Sequence, residues 1–521
     1  MLSKQTERKA QIMIKMMNVP KPEPLYNEFS LFCADYEVQI NGQPCPVYLC
    51  RVSAMPFNRI YPGEQRPLNQ TEHASFISFS ADETVKLQVK CKKPFTNAVI
   101  RPLSKQVAVE RSGDTVEFTL GNCGQYVLEL DDVHFALHIF FNPVRNYSEE
   151  EKKAATYYFG PGLHFEQRIN LRDNESLYVD EDAVLFASIY AKDAKNVKIF
   201  GGGVIDGSTE RRILRWELMG AAVGIIRLCN CEHVRVEDVI LRDSACFVFN
   251  TFGCNDIEVD NIKIVGQWRY NSDGIDPVNT SNMVIKNSFV RSFDDSICVK
   301  GAMGRDMAIE NITVENCVIW CDWGCSFRIG ELFVRETRNL TYRNCDVIHG
   351  FTAFNVLNYG QADVHDITFE NINIECQKNW KPPVYQHSDD MVYSPQEEYA
   401  RQWLLLVENN EAILDGYKPF QSGGPDAVNN GYQGNLSVHK NAGPSMAKCW
   451  KDATVHDLTF KNINLYLDEG MEIPGISIAS PRDTLVHKNF HIDGLYVNGE
   501  RVEDISSISL RMKNAENVTL R

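Results

Sequence analysis

An all-β chain, with a right-handed parallel β-helix following an N-terminal β-sandwich, is the fold class the sequence predicts. Three observations carry it. From about residue 155 onward, one phrase of alternating apolar residues closed by Asn recurs at nearly constant intervals. That region lacks the 3.6-residue apolar stripe of an amphipathic helix, apart from one interrupting segment. The first 150 or so residues do not repeat, and hold short alternating segments between Pro and Gly turns. The expected domains are 1–155 for the sandwich and 156–521 for the β-helix, with an insertion at about 376–455.

The front segments are 37-EVQINGQPCPVYLC-50, 86-KLQVKC-91, 115-TVEFTLGN-122 and 134-HFALHIFF-141. Their period of two and their β-branched and aromatic content fit half-buried strands of two packed sheets. A structural cap over the open first coil is the role expected of them, with carbohydrate binding as the alternative.

The repeated phrase reads 256-DIEVDNIKI, 282-NMVIKNSFV, 311-NITVENCVI, 339-NLTYRNCDV, 366-DITFENINI and 457-DLTFKNINL, with looser copies at 196-NVKIFGGGVI, 233-HVRVEDVIL and 489-NFHIDGLYV. From Val234 through Ile257, Met283, Ile312 and Leu340 to Ile367 the steps are 23, 26, 29, 28 and 27 residues. A parallel sheet with helical crossovers needs more chain than this, so the crossovers are strands and the chain coils. Asn261, Asn287, Asn316, Asn344, Asn371 and Asn462 then fall in one column, where their amides can bond from coil to coil. Within the insertion, Ser394, Pro395 and Glu397 have the spacing of a capped helix over 394–410. Around it, Trp380, Tyr385, His387, Tyr417 and Trp450 suit either stacking on sugar rings or packing on the coils.

The net charge of −16 and pI near 5.3 exclude nucleic acid and anionic membrane as partners, because phosphate binding rests on clustered Lys and Arg. No window approaches 18 uncharged apolar residues, and the N-terminus has no apolar core of a secretory signal. A cytoplasmic location is expected if that terminus is native, and a secreted one otherwise. Most of the sixteen cysteines, Cys298, Cys317 and Cys345 among them, are expected as reduced core thiols. Cys229-x-Cys231 and Cys321-x3-Cys325 do not make a four-ligand zinc pattern.

The segment 271-NSDGIDPVNTSNMVIKNSFVRSFDDSICVKG-301 places acids at both of its ends. Asp273 and the pair Asp294–Asp295 lie about one coil apart, so coiling brings them together at roughly the 4.8 Å spacing of adjacent strands. Consecutive strand residues face opposite ways, so the strand must end or bulge for both acids of the pair to face one site. Like charges so close shift one another's pKa values.

These residues resemble the polygalacturonases of glycoside hydrolase family 28 and the dextranase-like enzymes of family 49. The family 28 phrases N-T-D-G-x-D and D-D-C-I-A-I-K-S-G correspond to 271-NSDGID-276 and 294-DDSICVKG-301, and G-x-G-x-I-D-G to 200-FGGGVIDG-207. Like family 49, the chain has sandwich-type strands in front of the coils. The resemblance implies an inverting glycoside hydrolase that cleaves α-glycosidic bonds of a poly- or oligosaccharide, with no metal or organic cofactor. It implies Asp294 as general acid, with Asp273 and Asp295 holding and deprotonating the water. Asn271, Lys300, Arg328, Trp323, Arg269 and, in second place, His349 are the expected substrate-binding residues; Lys300 and Arg328 could equally be salt-bridge partners. Two departures bear on the substrate. The Gly-His-Gly of family 28 is replaced by 321-CDWGCSFRIGE-331, without His, and nothing matches its Arg-x-Lys where 354-FNVLNYG-360 stands. With Trp323 and Phe327 in place of polar residues, a neutral, dextran-like α-glycan is expected ahead of polygalacturonate, which stays as the alternative. A β-helix polysaccharide lyase and a non-catalytic sugar-binding β-helix are the rivals from other classes. The sequence does not specify the oligomeric state.

Overall fold

The computed structural model describes residues 14–20, 31–58, 67–210, 224–301, 307–331, 333, 335–358, 362–378, 380, 384–386, 392–395, 402–408, 453–480 and 483–521. Among these, two sheets precede the coils. One is five-stranded and antiparallel, from Tyr36–Ile40, Gln43–Cys45, Val85–Cys91, Val109–Ser112 and Thr115–Leu120. The other is six-stranded and contains Tyr48–Ser53, Thr71–Ser80, Gly124–Leu130 and Asp132–Asn142.

Period-two alternation explains how the six-stranded sheet is used. Ile77, Phe79, Leu128, Leu137 and Ile139 point into a core shared with the five-stranded sheet. Ala74, Phe76, Val127, Ala136 and Phe140, between them, point the other way and pack on the coils. Their partners there are Val184, Val204, Ile240, Val265, Phe289 and Trp320, which lie on successive coils. The front sheets therefore lie along a flank of the β-helix. This corrects the expected cap over the first coil: a sheet apolar on both faces has a second core to fill, and the flank supplies it.

From Tyr157 to Leu520 the chain forms one 29-stranded sheet in which strands pair in parallel with those of the next coil. The apolar column runs Val234, Ile257, Met283, Ile312, Leu340, Ile367, Leu458 and Phe490, in direct register throughout. All of these side chains are buried in one core. Among the cysteines, Cys298, Cys317 and Cys345 are free and wholly buried. No described helix is long and apolar enough to cross a membrane.

The Asn column is present, and each member has a left-handed backbone with φ of 51–56°. Its amides bond upward in part: Asn316 to Asn287 at 3.3 Å, Asn371 to Asn344 at 3.0 Å and Asn462 to Asn371 at 3.0 Å. The lower rungs end on carboxylates instead, Asn261 on Asp238 and Asn287 on Asp260. A second, parallel ladder occupies the first position of each phrase, also left-handed. There Asn311 bonds Asn282 at 2.8 Å, Asn489 bonds Asp457 at 2.7 Å and Asn517 bonds Asn489 at 2.7 Å. Asn and Asp suit both roles, because they tolerate αL and carry an oxygen to pair with the coil alongside.

The insertion corrects another expectation. Tyr393–Pro395 is a short strand paired with Val384–Gln386, and Trp403–Glu408 is a strand of the long sheet, paired with Thr352–Asn358 and Gly475–Ala479. The expected helix over 394–410 is therefore absent at its described residues; 396–401 lie outside them. The apolar run 404-LLLV-407 gains more as buried strand between two coils than as one turn of an exposed helix. His387, Tyr417 and Trp450 also lie outside the described residues.

The ladder gives a test by substitution. Asn287→Ala should lose about 1–2 kcal/mol for an L side chain held in αL, and about 1 kcal/mol more for each ladder bond. Asn287→Gly keeps the backbone and should lose less. Equal shifts of the denaturant midpoint in the two would exclude the backbone contribution.

Candidate active site

Three successive corners of the coil build the site. Asp273 lies just before the strand Ile275–Val278, Asp294 and Asp295 just before Ile297–Gly301, and Gly324 just before Cys325–Glu331. Because the Asp pair occupies the turn after Phe289–Ser292, strand alternation does not force its two side chains apart. Backbone bonds tie the corners together: Gly274 N–H donates to Asp295 O at 2.8 Å, and Ser296 N–H to Cys325 O at 2.9 Å. Gly324 has to be glycine, since a Cβ there would collide with the backbone of Asp294 and Asp295.

The carboxylates of Asp273, Asp294 and Asp295 converge, with one oxygen of each within 4.8 Å of the others. All three are buried, at 3%, 8% and 2% exposure. Asp295 accepts from Cys325 N–H at 2.9 Å and from Arg328 Nη1 at 2.9 Å. Asp273 accepts from Lys300 Nζ, which also lies 3.2 Å from Asp276. Asp294 accepts from the backbone N–H of Asp295 at 2.9 Å and makes no ion pair among the described residues. Three carboxylate oxygens so grouped could also hold a cation.

Charge balance then orders the protons. Burial pushes Asp294 well above the usual carboxylate range, and the charges of Asp273 and Asp295 add to it. Burial also raises Asp273, to about 6, with Lys300 pulling it down and Asp295 pushing it up. Asp276 is raised well above its usual value by burial. Four buried carboxylates share two cations here, so protons stay on the cluster, and Asp294, with no direct ion pair among the described residues, is the best placed to keep one.

Asn271 has a left-handed φ of 53° and turns the chain into Asp273. Arg269 is buried and pairs with Asp243 at 3.4 Å, so its charge is engaged within the protein. Trp323 stacks on Phe293, with ring centroids 6.2 Å apart. His349 departs from expectation: it is wholly buried, bonded to Glu129 and Gln377 and stacked between Trp320 and Trp380, under the front sheet. A substrate does not reach it there. Asp276 was not expected, although it ends the very phrase 271-NSDGID-276. Further polar neighbours share its sheet: Asn250 pairs with Asp276 in register and accepts from Arg227 Nε at 2.9 Å, and Arg328 pairs with Asn355. Nothing in the sequence marks Arg227 or Asn250 apart from their strand positions.

The part of the chain that carries the buried trio of aspartates is similar to known proteins. Residues 151–397 match the model of the glycosyl hydrolases family 28. The chain is 32% identical over 149 residues to rhamnogalacturonase A of Aspergillus aculeatus, covering 28% of this chain and 32% of that protein. It is 26% identical over 220 residues to a polygalacturonase of Gossypium barbadense, covering 38% of this chain and 50% of that one. The chain thus spans between a third and a half of the length of these relatives. In fold it is similar to Dex49A from Penicillium minioluteum, with a TM-score of 0.59 over 94% of each chain at 11% identity. The resemblance to β-helix hydrolases of families 28 and 49 holds in sequence for the first and in fold for the second.

Burial of Asp294 has a consequence for stability. Its folded-state pKa stands above the unfolded value of about 3.9, so the cluster is most stable with the proton on. That contribution is lost as the pH rises above the unfolded value. Asp294→Asn should therefore raise the melting temperature at pH 7, with the gain shrinking as the pH falls toward 4. A gain independent of pH would contradict the raised pKa.

Proposed function

We propose that the protein hydrolyses glycosidic bonds of a galacturonate-containing, pectin-class polysaccharide. The observation that carries the reading is the buried trio Asp273, Asp294 and Asp295 inside the segment that matches the family 28 model. Glycosidic cleavage needs one protonated carboxyl at the leaving oxygen and one carboxylate at an attacking water. Asp294, raised in pKa and without a direct ion pair among the described residues, takes the acid role: its proton goes to the glycosidic oxygen as the C–O bond breaks. Asp295 and Asp273, held by Arg328 and Lys300, take the water, remove its proton and leave its oxygen on the anomeric carbon.

The substrate class departs from the neutral glycan expected from the missing Gly-His-Gly and Arg-x-Lys. Relatives matched in sequence are named rhamnogalacturonase and polygalacturonase, and the likeness to Dex49A is one of fold alone. Lys300 and Arg328 are committed to Asp273, Asp276 and Asp295, so uronate binding falls to other groups, with Arg227, two coils before Asp276 on the same sheet, as a candidate. A polymer of this kind does not cross a membrane, which puts the action outside the cytoplasm. The cytoplasmic expectation, drawn from an N-terminus whose residues 1–13 lie outside the described ones, has no support among the relatives.

The stereochemistry stays a proposal resting on the family resemblance. The closest oxygens of the trio are within 4.8 Å, short of the roughly 6.5–9.5 Å separation usual for inversion. Inversion is proposed, and NMR of the first-formed product should show the anomer opposite to that cleaved. A retained anomer would make one of the aspartates a nucleophile.

Two further outcomes follow. Asp294→Asn should fold and lower turnover by at least about 10²-fold, and near-native rates would remove it from the acid role. Reducing-end release should occur on polygalacturonate or rhamnogalacturonan and not on dextran. Cleavage of dextran alone would restore the neutral glycan, and unsaturated products absorbing in the ultraviolet would identify a lyase.

A further inference from the structure

The short segment 53–58, at the end of the strand Tyr48–Ser53, carries the front sheets to the aspartate cluster. Ser53 Oγ donates to the carbonyl of Trp268 at 3.0 Å. The side chain of Asn58 accepts from Tyr270 OH and donates to Gln70 at 3.0 Å. Phe57 packs edge-on against Phe293, with ring centroids 6.4 Å apart. Trp268 and Tyr270 belong to the turn that delivers Asp273, and Phe293 immediately precedes Asp294. Phe293 is also the hub of an aromatic cluster, in contact with Tyr270 at 5.8 Å and with Trp323 at 6.2 Å. Ser53, Phe57, Asn58 and Phe293 are all buried to 2% exposure or less.

A second brace acts from the six-stranded sheet on the same corner. His138 takes a bond from Arg291 at 3.2 Å through Nε2, while its Nδ1 faces the carbonyl of Ser75 at 2.8 Å. Arg291 lies three residues before Asp294, is wholly buried, and faces Asp322 at 3.6 Å on the next coil. Corner turns lack the full ladder of the strands, so their geometry depends on what packs behind them. Here that packing comes from parts of the chain far away in sequence: Asn58 and Tyr270 are 212 positions apart, and His138 and Arg291 are 153 apart.

We propose that Phe57 and Asn58 are positioning residues for the aspartate cluster, so that the front sheets form the rear wall of the active site. The inference rests on reading that cluster as catalytic. Phe57 holds the corner before Asp294 and Asn58 the corner before Asp273, which sets the distance between the proton donor and the water-binding carboxylate. Both residues also keep water from the back of the cluster, and so maintain the protonated state of Asp294.

Steady-state kinetics on polygalacturonate and rhamnogalacturonan test the proposal with Phe57→Ala, Phe57→Leu and Tyr270→Phe. A displacement of about 1 Å can cost on the order of 10²-fold in rate. Phe57→Ala should therefore lower kcat at least about tenfold with KM within about twofold. The alkaline limb of its kcat profile should move to lower pH, as a better hydrated Asp294 gives up its proton sooner. Phe57→Leu should recover most of kcat, and Tyr270→Phe, which removes the bond to Asn58 while keeping the ring, should show a smaller loss of the same kind. Unchanged kcat and pH profile in folded Phe57→Ala would overturn the inference. Should Phe57→Ala fail to fold, unchanged kcat in Tyr270→Phe and Phe57→Leu would do the same. Hydrogen exchange over 268–273 and 291–296 supplies a readout independent of activity. Exchange should rise in both segments in Tyr270→Phe and Phe57→Ala, and protection equal to wild type would overturn the proposal. A wild-type protein without hydrolytic activity would refute the proposed function, while the exchange data would still decide whether 53–58 holds the two corners.

Discussion

Backbone hydrogen bonds between parallel coils hold them about 4.8 Å apart along the whole β-helix, and the remaining features depend on that spacing. It stacks the apolar column from Val234 to Phe490 into one core and aligns the two Asn and Asp ladders rung on rung. It also brings Asp273 within reach of Asp294 and Asp295 although a full coil of chain separates them. A carboxylate trio placed this way needs no long side chains to close the gap. Its geometry is set by backbone that the coil stack has already ordered, so placing the short side chains costs little further entropy.

The cluster works against the stability of the fold that builds it. Four buried aspartates with two cations leave negative charge without a partner, and burial of such charge is unfavourable unless protons return. The raised pKa values of Asp294, Asp276 and Asp273 express that conflict. A site poised to give and take protons is one whose charges the protein does not fully satisfy. Away from the site, buried carboxylates are matched by a cation, as where Arg101 links Glu129 to Glu375 beneath the front sheet.

Much of this was legible in the sequence because the coil repeats. The phrase copies from 256-DIEVDNIKI to 457-DLTFKNINL gave strand position, register and one ladder, and the spacing of Asp273 to Asp294 gave the trio. The second ladder lay in the same phrases, at Asn282, Asn311 and Asn339, but a lone Asn before a strand reads as an ordinary turn residue. Trp403–Glu408 is not legible as a strand because Ser394 and Glu397 make a local helix signal, whereas its strand state depends on neighbours about 50 and 70 residues away. The burial of His349 against Glu129, 220 residues earlier in the chain, has no sequence signal. The same holds for the contact of Phe57 with Phe293. Periodic features were readable, and pairings between the two parts of the chain were not.

The break between Val364–Cys376 and Val455–Leu467 shows how little the coil stack asks of the chain that links its rungs. These strands pair as closely as any others, yet Asn371 and Asn462 are 91 residues apart where Asn344 and Asn371 are 27. Closing the longer excursion costs only roughly 1 kcal/mol more in chain entropy, because that cost grows with the logarithm of loop length. An uninterrupted ladder on either side readily absorbs it. The rim of this β-helix is thus an open graft point, where new chain can be accepted while the scaffold keeps its registry.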